Sequence, residues 1–164
     1  MTTMIQGSQL RSLLLGVRVA KSSTMVQNTA VDLFNVTGGL VAVTSLVGVV
    51  TTAVANTASL TIKLQHTPTG GSAGDLAAAT VVTADPIGTL YGWTFPIAAE
   101  LISQQSGAGT EAPSPTFTAV LDTPAILPAG LIEMVVSDHD PGSGAVAWRL
   151  TYVPVDDGAA VTAA

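Results

Sequence analysis

The sequence predicts an all-β fold: a sandwich or barrel of about eight short, mainly antiparallel strands with an extended N-terminal arm. Two observations carry this. Val- and Thr-rich runs recur along the chain, several with a period of two, and such residues fit a pleated, half-buried surface. Clusters of Gly, Pro, Asp and Ser separate the runs, as tight turns require. Residues 1–28 read as the arm and residues 29–164 as the strand domain. A chain of 164 residues ordinarily makes one such domain, with a core that needs no staples. No internal repeat of solenoid length is evident.

The elements follow in order. Residues 1–28 are mixed and polar, but Val17 and Val19 alternate with Arg18 and Ala20, which predicts one short strand. Two readings stay open for this segment: an arm that reaches a neighbouring subunit, or an ordinary first strand behind a frayed terminus. Residues 30–36 form the next candidate strand. A strict period of two puts Val31, Leu33 and Asn35 on one face and Asp32, Phe34 and Val36 on the other. Thr37-Gly38-Gly39 then turns, since glycine tolerates positive φ. Residues 40–54 read as two strands with a bend near Ser45 or Gly48. Apolar residues occupy both of their faces, so both faces are expected to be covered, one by the core and one by a second sheet or another subunit.

Residues 58–65 alternate well, with Leu60, Ile62 and Leu64 opposite Thr61, Lys63 and Gln65. Residues 66–75 read as a loop, 76–83 as a strand ended by Asp85-Pro86, and 88–95 as a segment carrying Leu90, Tyr91 and Trp93. Residues 97–105 are the best helix candidate, because Ile97, Leu101 and Ile102 lie near one helical face, and the segment is also short enough for a strand. Residues 106–115 form a loop and 117–121 an apolar run. Residues 131–137 and 146–152 read as two strands of a hairpin joined by the turn-rich residues 138–144. In the second of them Val146, Trp148, Leu150 and Tyr152 share a face opposite Arg149 and Thr151. Asp156-Asp157-Gly158 makes a turn before the tail.

Charge is scarce. Five basic and eleven acidic residues give 10% charged residues and a net charge of −6, where about 25% charged is usual. Much of the surface must then be uncharged polar residues, or be covered in an assembly. The cations are Arg11, Arg18, Lys21, Lys63 and Arg149, without a basic run, which argues against a phosphate-binding surface. Residues 33–62 carry no charge and mean hydropathy is +0.53, but Thr, Ser and Asn interrupt the stretch and no basic cluster flanks it, so a membrane span is not expected. Neither is a signal peptide, since Arg18 and Lys21 cut short the apolar run at Leu13-Leu14-Leu15.

The residues that carry chemistry are few. There is no cysteine, so disulfides and thiolate metal sites are excluded. The histidines are His66 and His139, both in loop-like sequence, and neither a nucleophile elbow nor a phosphate-binding glycine loop is present. Asp138, His139 and Asp140 offer two carboxylates in a turn, but the other oxygen ligands a calcium ion requires are missing from the spacing. Trp93, Tyr91, Trp148 and Tyr152 read as core rings rather than a sugar-binding platform. No enzyme activity, cofactor, metal site or nucleic-acid site is expected.

Three segments carry a resemblance. They are Leu33-Phe34-Asn35-Val36-Thr37-Gly38-Gly39 running into Leu46-Val47-Gly48-Val49-Val50-Thr51-Thr52, then Gly88-Thr89-Leu90-Tyr91, then Trp148-Arg149-Leu150-Thr151-Tyr152-Val153-Pro154 with Asp156-Asp157-Gly158-Ala159-Ala160-Val161. Over roughly residues 30–164 the chain resembles small β-rich virion proteins of tailed phages, especially those infecting actinobacteria. The resemblance implies a head decoration, or cement, protein: commonly a homotrimer, seated on the outer capsid surface, contacting the major capsid protein and present in the host cytoplasm during assembly. A tail or fibre component and a carbohydrate-binding host-attachment module are the alternatives. Because basic residues concentrate in the N-terminal segment while the rest is acidic, Arg11, Leu13, Leu14, Arg18 and Lys21 are the candidate capsid or subunit interface.

Overall fold

The computed structural model describes residues 16–24, 29–54, 60–93, 99–104, 124–137 and 144–164. These residues form strands and turns only. In chain order the strands are β1 (Val17–Thr24), β2 (Ala30–Thr37), β3 (Val41–Thr52), β4 (Thr61–Pro68), β5 (Gly74–Val81), β6 (Leu90–Gly92), β7 (Ala99–Glu100), β8 (Ile102–Gln104), β9 (Ala125–Leu127), β10 (Gly130–Ser137), β11 (Ala145–Pro154) and β12 (Ala160–Ala163). They build two six-stranded sheets. Sheet A runs β1-β11-β3-β6-β8, with β9 also paired to β3, and sheet B runs β12-β2-β10-β4-β5-β7. Every pairing is antiparallel except the short parallel contact of β5 with β7. The two sheets are not closed into a barrel; the architecture is a sandwich.

The alternation read from the sequence sets which side chains enter the core. Val146, Trp148, Leu150 and Tyr152 of β11 are buried, as are Ile62 and Leu64 of β4 and Ile132, Met134 and Val136 of β10. Leu60, just before β4, joins them. The core lies between the sheets and is filled by Trp93, Trp148, Tyr91 and Phe34 among its largest members. Tyr91 and Trp148 pack with ring centroids 6.3 Å apart. The Tyr91 hydroxyl donates to the buried Asp85 carboxylate at 2.6 Å. Burial and then the Asp85 contact push this phenol far above its ordinary range, so it stays a donor. The indole N–H groups of Trp93 and Trp148 have no such partner among the described residues.

Register shifts interrupt the β2–β10, β3–β11 and β4–β5 pairings, and two of them correct an expectation. In β3, Ser45 faces Thr151 and Val43 faces Tyr152, so Thr44 is an extra residue. One inserted residue reverses the parity of everything after it. Val41 and Val43 are therefore buried before the bulge, and Leu46 and Val50 after it. Residues 41–52 are thus one strand with a bulge, and not two strands with a bend. In β2, Phe34 faces Ile132 while Asp32 faces Glu133, so Leu33 is extra and both Leu33 and Phe34 enter the core. Strict alternation had placed them on opposite faces.

Three further expectations change. Residues 99–104, within the segment 97–105, form β7 and β8 on either side of Leu101, which is buried and whose N–H donates to Thr80 Oγ1 at 2.8 Å. His66 and Pro68 belong to β4 and Gly74 begins β5, so the loop expected over 66–75 shrinks to the residues between those strands. The expected 131–152 hairpin does not form. β10 pairs with β2 and β4 in sheet B, whereas β11 pairs with β1 and β3 in sheet A. Each strand has an apolar face, and those faces meet across the core rather than side by side in one sheet. The tail after Asp156-Asp157-Gly158 is also ordered, as β12.

Val17–Thr24, inside the segment read as an arm, is the edge strand of sheet A and pairs along its length with β11. Val17 and Val19 pack against the core. The uncharged stretch 33–62 contains most of β2, all of β3 and the start of β4; among the described residues no helix is long and apolar enough to cross a membrane. The runs 106–115, 117–121 and 138–143, with Asp138, His139 and Asp140, lie outside the described residues.

Candidate subunit interface

The outer face of sheet A is built from the residues that alternate with the core positions of β1, β11, β3, β6 and β9. Register fixes which side chains share it. Arg18 faces Thr151, Ala20 faces Arg149, and Ser22 faces Ala147. On the other side of β11, Arg149 faces Val47, Ala147 faces Val49, and Val153 faces Ala42. β6 adds Leu90 beside Val49, and β9 adds Ile126 beside Ala42. Val47, Val49, Leu90 and Val153 are half-buried within a single copy, and Ile126 is 54% exposed. Among the described residues this face carries two arginines and no carboxylate. A sheet face that stands in water is ordinarily polar. This one is an apolar band flanked by cations.

The bulge at Thr44 is what composes the face. Without it, Val47 and Val49 would share the parity of Val41 and Val43 and point into the core. The turns at one end of the sandwich hold β3 and β11 in place. The Asp156 carboxylate accepts the Leu40 N–H at 2.7 Å, joining the turn after β11 to the turn before β3. Gly38 and Gly39 have φ of +75° and +138°. A Cβ on Gly38 would lie 2.3 Å from the Gly158 carbonyl oxygen and one on Gly39 2.6 Å from Asp156 Oδ2, so the two turns meet only because both positions lack side chains. The Gly38-Gly39 and Asp156-Asp157-Gly158 segments of the sequence are in this way one clasp.

The outer face of sheet B differs. Glu133 on central β10 is almost fully buried, and its Oε2 accepts hydrogen bonds from Gln65 Nε2 at 3.2 Å and from Thr67 Oγ1. Thr61 bonds Ser137, and Lys63 pairs with Asp75 at 2.8 Å. Asp32 is exposed directly opposite Glu133. Leu131, Val135 and the exposed Val81 share this face, but its polar groups are bonded within the copy.

Of the residues singled out as an interface from the sequence, Arg18 is exposed on the outer face of sheet A, whereas Lys21 has the opposite parity, facing Trp148, and its Nζ donates to the Ala164 carbonyl just after β12 of sheet B. Arg11, Leu13 and Leu14 lie outside the described residues. Arg149, Val47, Val49 and Leu90 were not singled out; the signal for Val47 and Val49 was the presence of apolar residues on both faces of residues 40–54. Trp93, Trp148 and Tyr91 are fully buried and Tyr152 nearly so, which leaves these rings no role as a sugar-stacking platform.

His66 is buried on the inner side of β4, beside a groove of about 270 Å³ lined by Pro68, Ser72, Asp75, Leu127 and Pro128 among others. Burial holds its imidazole below the ordinary value of 6.5; a hydrogen bond to the Pro128 carbonyl and the charge of Glu133 oppose this. Its Nε2 has no partner among the described residues. A Cβ on Gly130 would lie 3.0 Å from that nitrogen. Among the described residues no three His, Asp or Glu side chains are grouped to hold a metal. Comparison of the chain with protein-family models, curated proteins and solved structures finds no match.

Proposed function

We propose that this chain is a virion structural protein that decorates the outer surface of a phage capsid and braces it through subunit–subunit contacts. The observation that carries the reading is the outer face of sheet A, where Val47, Val49, Leu90, Val153 and Ile126 stand without a carboxylate in a chain of only 10% charged residues. Permanent interfaces resemble a protein core cut in half, and this face has that composition. The segments that carry the resemblance to phage virion proteins supply the centre of the face, β3 and β11, and the clasp that holds them. The partners are the major capsid protein and further copies of this chain, as a homotrimer on the lattice.

The direct test is imaging of intact particles at near-atomic resolution. Density on the outer head lattice with sheet A covered supports the reading. Density confined to the tail replaces it with a tail or fibre role, and absence from the particle removes both. A truncation test of the N-terminal segment must stop before residue 17, because removing residues 1–28 also removes β1. Loss of capsid binding on deletion of residues 1–15 is expected if Arg11, Leu13 and Leu14 form an arm; retained binding eliminates the arm.

A further inference from the structure

Each outer face of the sandwich carries one like-charge pair; on sheet B the cation nearby in the register is Lys63, diagonal to Glu133 and already paired with Asp75. On sheet A, Arg18 faces Thr151 and Ala20 faces Arg149, so the two arginines are diagonal neighbours on adjoining strands. Such diagonals lie about 7–8 Å apart, within reach of long side chains. Neither makes an ion pair among the described residues, where the pair shown is Lys63 with Asp75. On sheet B, Asp32 and Glu133 are directly opposite in the β2–β10 ladder. Like charges in that position oppose the pairing of the strands. Gln65 and Thr67 bond Glu133, but they are neutral, and Asp32 makes no ion pair among the described residues.

We infer that the outer face of sheet A docks on the outer face of sheet B of a second copy, with Arg18 and Arg149 set against Asp32 and Glu133. This rests on the reading above that the sheet A face is an interface, and it names the occupant. A second copy is favoured over an unlike partner because the complementary pair stands on the same chain. Packing sheet A on sheet A would gather four arginines with no carboxylate on that face, and packing sheet B on sheet B would set Asp32 and Glu133 of both copies together, with Lys63 as the cation and it already paired to Asp75. The contact is heterologous, so copies form a ring if the angle between successive copies closes and a stack if it does not.

The test is the mass in solution of the purified full chain, measured by light scattering over a wide concentration range. The unaltered protein is expected above the mass of one chain. Arg149→Glu and Asp32→Arg are both exposed positions, so folding is retained and checked by near-ultraviolet circular dichroism. Each alone is expected to weaken association roughly tenfold or more. A mixture of the two is expected to regain association: the Asp32→Arg copy offers an intact sheet A face, the Arg149→Glu copy an intact sheet B face, and the two reversed charges are again opposite where the altered faces meet. Monomeric unaltered protein at every concentration overturns the inference. So does an Asp32→Arg protein that self-associates as tightly as the unaltered chain, which indicates sheet A on sheet A, or an Arg149→Glu protein that does, which indicates sheet B on sheet B. If the stack fails while imaging still finds the chain on the capsid lattice, the inference falls and the decoration reading stands.

Discussion

The two outer faces of this sandwich are built on the same core and differ in what they leave unfinished. On sheet B the central Glu133 has found its donors in Gln65 and Thr67, and Lys63 has found Asp75. On sheet A the corresponding centre is Val47 and Val49, with Arg149 beside them and no carboxylate on the face among the described residues. One surface satisfies most of its polar groups within a single copy; the other exposes apolar area and positive charge. The difference teaches where to look for function in a chain without chemistry. It lies in the face whose interactions are incomplete, since a monomer gains nothing by holding Val49 and Leu90 half out of water.

Four probes, one of them a matched pair of substitutions, test that difference. The largest effect should come from breaking what the faces share. Trp148→Ala removes a fully buried ring that packs on Tyr91, and unfolding by denaturant should show a loss of about 3–5 kcal/mol, with both faces lost together. Next, Glu133→Ala should damage sheet B alone. It strips Gln65 and Thr67 of their acceptor in a partly buried setting, and about 1–2 kcal/mol of stability should go, while Val47→Ala on sheet A should affect assembly more than folding. Equal losses of stability from these two changes would erase the distinction between the faces.

The third probe is pH. His66 takes up its proton at a lower pH in the folded protein than in the unfolded chain, because burial disfavours the charged form. The unfolded state therefore binds more protons below the ordinary value of 6.5, and stability falls as the pH drops through and below that value. The group lies on the inner side of sheet B next to Gly130, and the charge of Glu133 works against the shift. His66→Gln should flatten the slope of stability between about pH 7 and 5 relative to the unaltered protein. An unchanged slope would show that the imidazole is not the group responsible. The smallest effect belongs to Lys63→Ala. Its pair with Asp75 is a third to nearly half exposed, so melting should register less than about 0.5 kcal/mol.

Much of this was legible in the residues. Val146, Trp148, Leu150 and Tyr152 announced a core face by alternation alone, as did Leu60, Ile62 and Leu64, because side-chain direction in a strand has a period of two and burial selects one parity. The turns at Gly38-Gly39 and Asp156-Asp157-Gly158 were visible for a similar local reason, the demand for positive φ. Pairing was not legible. Residues 131–137 and 146–152 look like a hairpin, yet β10 and β11 lie in opposite sheets, since alternation tells which side of a strand is apolar and not which strand lies beside it.

Sequence by itself determined the class of the protein: Val- and Thr-rich strands, scarce charge and no cysteine leave a β-fold that must complete itself by packing. Only the tertiary structure decided where the packing is incomplete. That depended on the extra residues Thr44 and Leu33, each of which reverses the parity of its strand. A bulge is a property of two strands in register, set by what lies opposite, and so it turned Val47 and Val49 outward for a reason that no single stretch of sequence contains.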